Sequence, residues 1–261
     1  MKYDDFEILQ EHNVNHQQIH WFPGHMMKTL RLMEKEVKNV DVVIVLLDAR
    51  IPFSSQNPEI EKIIANKNRI YILNKQDLAD PEITAEWIKY FKNNGTGAIA
   101  LNSKTGKNFG SVKAQIDREL KELLERRQNR GIEGVKIRAM LCGIPNVGKS
   151  TFINGFAGEQ RAKAADRPGV TRGKQWITVD NFELLDMPGV LWRKFDNNNI
   201  ASNLAFIGSI KDDILRKIAR KRGMLLPGNE ENTERAAIML CDEFRASKLG
   251  RISLERPADY E

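Results

Sequence analysis

One stretch constrains this chain more than any other: Gly143-Ile-Pro-Asn-Val-Gly-Lys-Ser150, followed by Thr151. It matches the phosphate-binding pattern G-x-x-x-x-G-K-S/T, and its neighbours suit that pattern. The apolar run over 135–142 before it reads as a buried strand, and 149–156 behind it can start a helix. Gly143 and Gly148 allow a tight backbone turn, so that successive N–H groups face one anionic centre at a helix N-terminus. The spacing predicts that Lys149 reaches the β- and γ-phosphates and that the Ser150 hydroxyl ligates Mg²⁺. Asn146, Val147, Gly148 and Thr151 complete the expected phosphate cradle. A glycine–lysine turn can also arise by chance, so the reading needs company.

Composition narrows the classes. The 261 residues are 41% hydrophobic and 29% charged, an ordinary globular balance that leaves room for one large domain and a small one. No apolar run approaches the roughly 18 residues of a membrane span, and the first residues carry no signal-peptide core. The expectation is a cytoplasmic protein, monomeric, with no membrane partner. Two cysteines, Cys142 and Cys241, exclude a disulfide framework and a cysteine-based zinc site. The formal charge of +6 favours a polyanionic partner beyond the nucleotide. Basic clusters concentrate it: Arg126, Arg127 and Arg130; Arg161, Lys163, Arg167, Arg172 and Lys174; and Arg216, Lys217, Arg220, Lys221 and Arg222. A solvated face is the plainer reading of each, and nucleic acid the sharper one.

Taken in order, residues 1–20 are polar and read as a loose tail. His12, His16 and His20 share a helix-face spacing, but no acid or thiol completes a metal site there. Helices are expected over 26–39, 58–65, 81–93 and 109–128, and strands over 41–47, 69–73 and 98–101. The strand over 41–47 is apolar throughout, as a strand covered on both faces is; it ends in Asp48-Ala-Arg-Ile-Pro, an acid and a base at its C-terminal edge. Beyond the glycine–lysine loop, two strands over 175–179 and 182–185 flank the turn Asp180-Asn181. This alternation predicts an α/β fold with a mostly parallel sheet flanked by helices, its ligand at the C-terminal strand edge. From about residue 196 only helical stripes remain (Ile207, Ile210, Ile214 and Ile218; Ala236, Leu240 and Phe244). The expected division is therefore a tail over 1–20, a nucleotide-binding domain over 21–195 and a helical domain over 196–261.

Three further motifs fall in loops after strands. Asn74-Lys-Gln-Asp77 fits N-K-x-D: an Asp77 carboxylate can accept from both guanine N1–H and the exocyclic amine, which adenine cannot offer. Asn74 would brace the loop and contact the base edge, the Lys75 stem would cover the ring, and Ser103-Lys104 can close over the base. Asp186-Met-Pro-Gly189 fits D-x-x-G, with Asp186 on Mg²⁺ and the Gly189 N–H sensing the γ-phosphate. Thr171 suits a threonine that ligates Mg²⁺ in the GTP state. The order departs from Ras-type GTPases, because N-K-x-D and Ser103-Lys104 precede the phosphate loop. A circular permutation explains it, since joining neighbouring termini and cutting elsewhere preserves the site.

With Trp21-Phe-Pro-Gly-His-Met, Asp48-Ala-Arg-x-Pro, the GTPase motifs and Gly208-Ser-Ile-Lys in view, the chain resembles the ribosome biogenesis GTPase A family (RbgA, also called YlqF) over nearly all but its first 20 residues. The resemblance implies a cytoplasmic GTPase that acts in late assembly of the large (50S) ribosomal subunit and contacts rRNA. A permuted GTPase of the small subunit, or a non-hydrolysing GTP-dependent RNA-binding scaffold, is the alternative. The resemblance further implies a hydrophobic-substituted enzyme, with Val190 where Ras-type enzymes carry glutamine. It gives His25 the water-positioning role, and Asn146 matches the asparagine with which related GTPases hold K⁺. The helical domain is shorter than the family pattern between Leu215 and Ile218.

Overall fold

The longest apolar runs lie at the centre of the sheet. The computed structural model describes residues 24–132, 134–158, 175–192 and 251–260, with scattered positions between 200 and 246. Strand β1 (Val42–Asp48) is buried at every position, as its unbroken apolar sequence requires. It pairs in parallel with β2 (Asn68–Asn74) on one side and β4 (Ile137–Gly143) on the other. Strand β3 (Gly97–Leu101) extends one edge, while β6 (Phe182–Asp186) and β5 (Gln175–Val179) extend the other. The order is β3-β2-β1-β4-β6-β5, parallel throughout except for the antiparallel β5–β6 hairpin. Its turn places Asp180 at a φ of 49°, a conformation that Asp tolerates better than most residues. The expected mostly parallel α/β sheet is thus the observed one.

Helix α1 (Gly24–Glu36) buries Met26, Leu30 and Met33 and tightens into a 3₁₀ turn over Val37–Asn39, where a single helix over 26–39 was expected. Helices α2 (Pro58–Ile64) and α3 (Pro81–Asn93) follow β1 and β2, each with proline at its first position. Asn57 and Asp80 cap them, each side chain accepting two backbone N–H bonds. Trp87 and Phe91 of α3 are buried and stacked, 5.6 Å between ring centroids.

The expected helix over 109–128 is two helices, α4 (Phe109–Glu119) and α5 (Lys121–Asn129), meeting at Leu120. Leu120 leaves helical geometry (φ −98°, ψ 9°) with its side chain fully buried. The core anchors the joint, and α5, which buries no residue fully, lays Leu123 and Leu124 half-buried against the core. Helix α6 (Lys149–Ala157) follows β4 and packs Phe152 and Phe156 against Phe109 of α4. Cys142 is buried in β4 as a small apolar group.

The helical stripes expected beyond residue 196 lie outside the described residues. The end of the chain does not. Residues 251–260 return to the loop after β1, where Tyr260 stacks on Phe53 at 3.7 Å and the Trp87 indole donates to the Glu255 carbonyl.

Candidate nucleotide site

The strand order turns at β1, which has β2 on one side and β4 on the other. Ligands of open α/β sheets bind in the crevice such a switch point opens. The C-terminal ends of β1, β2, β3, β4 and β6 deliver Asp48, Asn74, Ser103, Gly143 and Asp186 to that edge. A cavity of about 340 Å³ opens at the β2 and β3 end of that edge, lined by Asn74, Asp77, Ser103, Lys104, Asn146 and Gly148.

On the phosphate side, the loop between β4 and α6 curls beneath the helix N-terminus. Gly148 has a φ of 102°, and a Cβ there would collide with the Asn74 side-chain amide. Only glycine satisfies both the dihedral and the space. The Lys149 ammonium donates to the carbonyls of Ile144 (2.8 Å) and Gly143 (3.3 Å), folded over the loop it would share with a phosphate. Burial pushes its pKa down to about 8, against the pull of nearby Asp186. Ser150 is exposed and Thr151 half-buried at the start of α6.

On the base side, Asn74 is buried and ties three loops together. Its Nδ2 donates to the Val147 carbonyl of the phosphate loop at 2.8 Å. Its Oδ1 accepts from the Ser103 N–H at 3.1 Å and the Ser103 hydroxyl at 2.8 Å. Asp77 stands exposed at the cavity with Lys104 facing it from the next loop. Lys75 adopts a φ of 61° and spans from Asp48 (3.0 Å) to the Asn146 carbonyl (2.8 Å).

The D-x-x-G stretch runs beside the phosphate loop. The Met187 N–H donates to the Leu141 carbonyl and the Val190 N–H to the Gly143 carbonyl. Gly189 approaches so closely that a Cβ would lie 2.8 Å from both Lys149 Nζ and the Pro145 backbone. Asp186 is buried, and Val190, Leu191 and Trp192 are buried after it. A hydroxyl from Ser150 and a carboxylate from Asp186 are hard oxygen donors, which suits Mg²⁺. Among the described residues no group of three His, Cys, Asp or Glu side chains could hold a metal alone.

Thr171 lies outside the described residues. His25 belongs to the backbone of α1, but its side chain is not among those described.

Sequence reasoning marked Asp48 and Arg50 only as charges at a strand end, and gave Asn57 and Glu255 no role. Asp48 carries a buried ion pair with Arg50 at 2.8 Å. Asn57 Nδ2 donates to the Val190 carbonyl at 2.8 Å. Glu255 accepts from the N–H groups of Phe53 (2.8 Å) and Ser54 (3.0 Å), from the Ser54 hydroxyl and from Asn203. Burial pushes its carboxyl pKa up. For Asp48 and Arg50 the signal was present, since two ionisable residues inside an apolar strand-and-loop run must find each other. Nothing local could have pointed to Glu255, some 200 positions from Phe53 and Ser54.

Comparison with known proteins agrees with this geometry. A family described as 50S ribosome-binding GTPase matches residues 138–240. Ribosome biogenesis GTPase A of Priestia megaterium is 38% identical over 93% of this chain and 98% of its own length. The relative of that name in Thermotoga maritima is 28% identical over 92% of this chain and 95% of its own. Among solved structures, the GNP-bound YlqF of T. maritima superposes with a TM-score of 0.63 at 28% identity, covering 88% of this chain and 98% of that one. The fold is that of a circularly permuted GTPase, the protein is a hydrolase acting on GTP, and the chain belongs to the ribosome biogenesis GTPase A family.

Proposed function

We propose that the protein binds GTP in the cavity between the phosphate loop and Asp77, hydrolyses it to GDP and phosphate, and serves as an assembly factor in late maturation of the large ribosomal subunit, in contact with its rRNA and proteins. The observation that carries the nucleotide part is the Asn74 side chain, which joins the phosphate loop, the base-reading loop and Ser103 in one hydrogen-bonded unit. Base recognition and phosphate recognition are thereby held at a fixed separation. Asp77 reads guanine, and the Lys75 stem and Ser103-Lys104 enclose the ring. Lys149 exchanges its bonds to the loop's own carbonyls for phosphate oxygens, and the backbone from Val147 to Thr151 supplies the remaining donors.

Ser150, Asp186 and, in the GTP state, Thr171 would hold Mg²⁺, which when bound offsets the charge on the β- and γ-oxygens. The Gly189 N–H faces the γ-phosphate. Val190 cannot orient water, being apolar and buried; His25 takes that role in our reading, and K⁺ at Asn146 adds positive charge. We assign 196–261 to a helical domain that meets the ribosome, in a protein acting as a monomer in the cytoplasm.

The ribosomal part is supported by the relatives, which are named for ribosome biogenesis, and by the match to a family described as 50S-binding. Exposed Arg126 on α5 and Arg130 just past its end add basic charge. Co-sedimentation with isolated large and small subunits tests it, in GDP and in a non-hydrolysable GTP analogue. Retention on the large subunit with the GTP analogue, weakened by GDP, is the expected result. Equal retention on both subunits, or none, removes the assignment, and retention without any phosphate release from GTP turns it into a scaffold.

A further inference from the structure

Asp48 ends β1 fully buried, and its carboxylate already has a complete partner in Arg50. Arg50 Nε donates to Oδ1 and one terminal nitrogen to Oδ2, each at 2.8 Å. The Arg50 backbone N–H adds a third bond to Oδ1 at 3.1 Å. Such a two-pronged pair offsets much of the cost of burying a carboxylate. A second cation reaches the same group. That cation is Lys75, 3.0 Å from Oδ2. Its ammonium also donates to the Asn146 carbonyl of the phosphate loop at 2.8 Å. The parallel register sets Asp48 directly beside Asn74, so the two strand ends cannot separate without breaking the sheet. Lys75 also holds a φ of 61°, an uncommon conformation for a residue with a side chain. Its stem is thus fixed at both ends, along a cavity that Asn74 and Asp77 also line.

We infer that Asp48, held by Arg50, is a positioning residue for guanine binding, anchoring the Lys75 ammonium so that the lysine stem stands ready as the apolar wall against which the purine lies. This rests on the assignment of Asn74–Asp77 as the base reader. Asp48 touches no nucleotide and acts only through Lys75. A free lysine keeps a flexible four-carbon stem, and ordering it is part of the cost of binding. An anchor formed before the ligand arrives moves that cost out of the binding step.

The test is a double-mutant cycle on GDP affinity, read with a fluorescent GDP, for the wild type, Asp48→Asn, Lys75→Met and the double variant. Asp48→Asn should bind GDP about tenfold more weakly, and the same change in the Lys75→Met background should do nothing further, a coupling of about tenfold. A purely structural role predicts equal loss in both backgrounds, and that result overturns the inference. So does wild-type affinity in Asp48→Asn. The base reading has its own control: if Lys75→Met and Asp77→Asn both keep wild-type GDP affinity, that reading fails, whatever Asp48 does. Thermal unfolding checks that each variant folds. Should Asp48→Asn leave Arg50 uncompensated and unfold, the neutral pair Asp48→Asn/Arg50→Gln carries the same comparison. The unaltered protein gives a third reading, the ¹⁵N signal of the Lys75 ammonium, assigned by its loss in Lys75→Met. A slowly exchanging, carboxylate-bonded signal before GDP is added supports the anchor, and a freely exchanging one overturns it.

Discussion

A carboxylate selects guanine because it can accept from two adjacent N–H donors at once. Asp77, exposed at the cavity beside Ser103 and Lys104, is the residue proposed for that role. Asp77→Asn should therefore lose GTP affinity and gain xanthosine triphosphate, whose 2-oxo group can accept from the new amide. Competition binding with the two nucleotides decides it, and a mutant that keeps its GTP affinity would exclude Asp77 as the base reader. Lys149 gives a second prediction at the same scale. Its pKa is pushed down to about 8 by burial without a ligand, whereas a bound phosphate stabilises the charged ammonium and raises it. The protonated form is the binding form. Nucleotide affinity should be flat below pH 8 and should fall above it, by at most about tenfold per pH unit, with proton uptake on binding. Calorimetry at pH 8.5 in buffers of different ionisation enthalpy measures that uptake. No difference between the buffers would mean that Lys149 is already charged in the free protein.

At the scale of elements, what could be read in advance was what period and spacing encode. The apolar run of β1 and the glycine-rich turn before α6 are local patterns, and both are found, β1 one residue later than the expected 41–47. The break at Leu120 was not legible, because the charged pattern of 109–128 continues across it and only the burial of Leu120 marks the bend. The base site shows the same division. N-K-x-D singled out Asn74, Lys75 and Asp77 as candidates, but the hydrogen bonds of Asn74 between loops and the position of Asp48 beside Lys75 depend on which strands lie adjacent. Long-range partners were the least visible. Residues 251–255 hold the loops after β1 and β2: Glu255 takes the N–H groups of Phe53 and Ser54, Leu254 donates to the Arg50 carbonyl, and Arg251 donates to the Ala79 carbonyl. Glu255→Ala strands two backbone donors inside the protein, at about 1–3 kcal/mol each. It should lower stability by about 3 kcal/mol in urea unfolding and weaken GDP binding as the Arg50 loop loosens. Glu255→Gln, which keeps an acceptor, should lose less than half of that. If alanine and glutamine are equally mild, the segment does not brace the loop.

In the whole molecule, the permuted order matters through what adjoins the switch. The chain leaves D-x-x-G through Val190, Leu191 and Trp192, all buried, toward residues 196–261. Val190 is gripped from the other side, since its carbonyl accepts from Asn57, the cap of α2. Helix α1, whose second residue is His25, packs against α2. A surface that pulls on α1 or on the C-terminal residues therefore has a short mechanical route to the γ-phosphate loop. With Val190 unable to hold water, hydrolysis by the free protein should be slow, about 10⁻⁴–10⁻³ s⁻¹, the range of Ras without its activator. If the proposed large-subunit docking and His25 role hold, docking acts by bringing His25 to the attacking water. His25→Ala should remove most of the ribosome-stimulated rate, since a water-positioning or general-base group is worth about 10²–10⁴-fold. Nucleotide affinity should hardly change, because the histidine would act on water and on neither guanine nor the β-phosphate. Exchange of K⁺ for Na⁺ should slow the same step if Asn146 holds a potassium ion. Single-turnover hydrolysis with saturating subunits separates these effects from docking itself. If His25→Ala turns over as fast as the wild type there, the histidine is structural, and the water is oriented by another side chain or by a group on the ribosomal RNA.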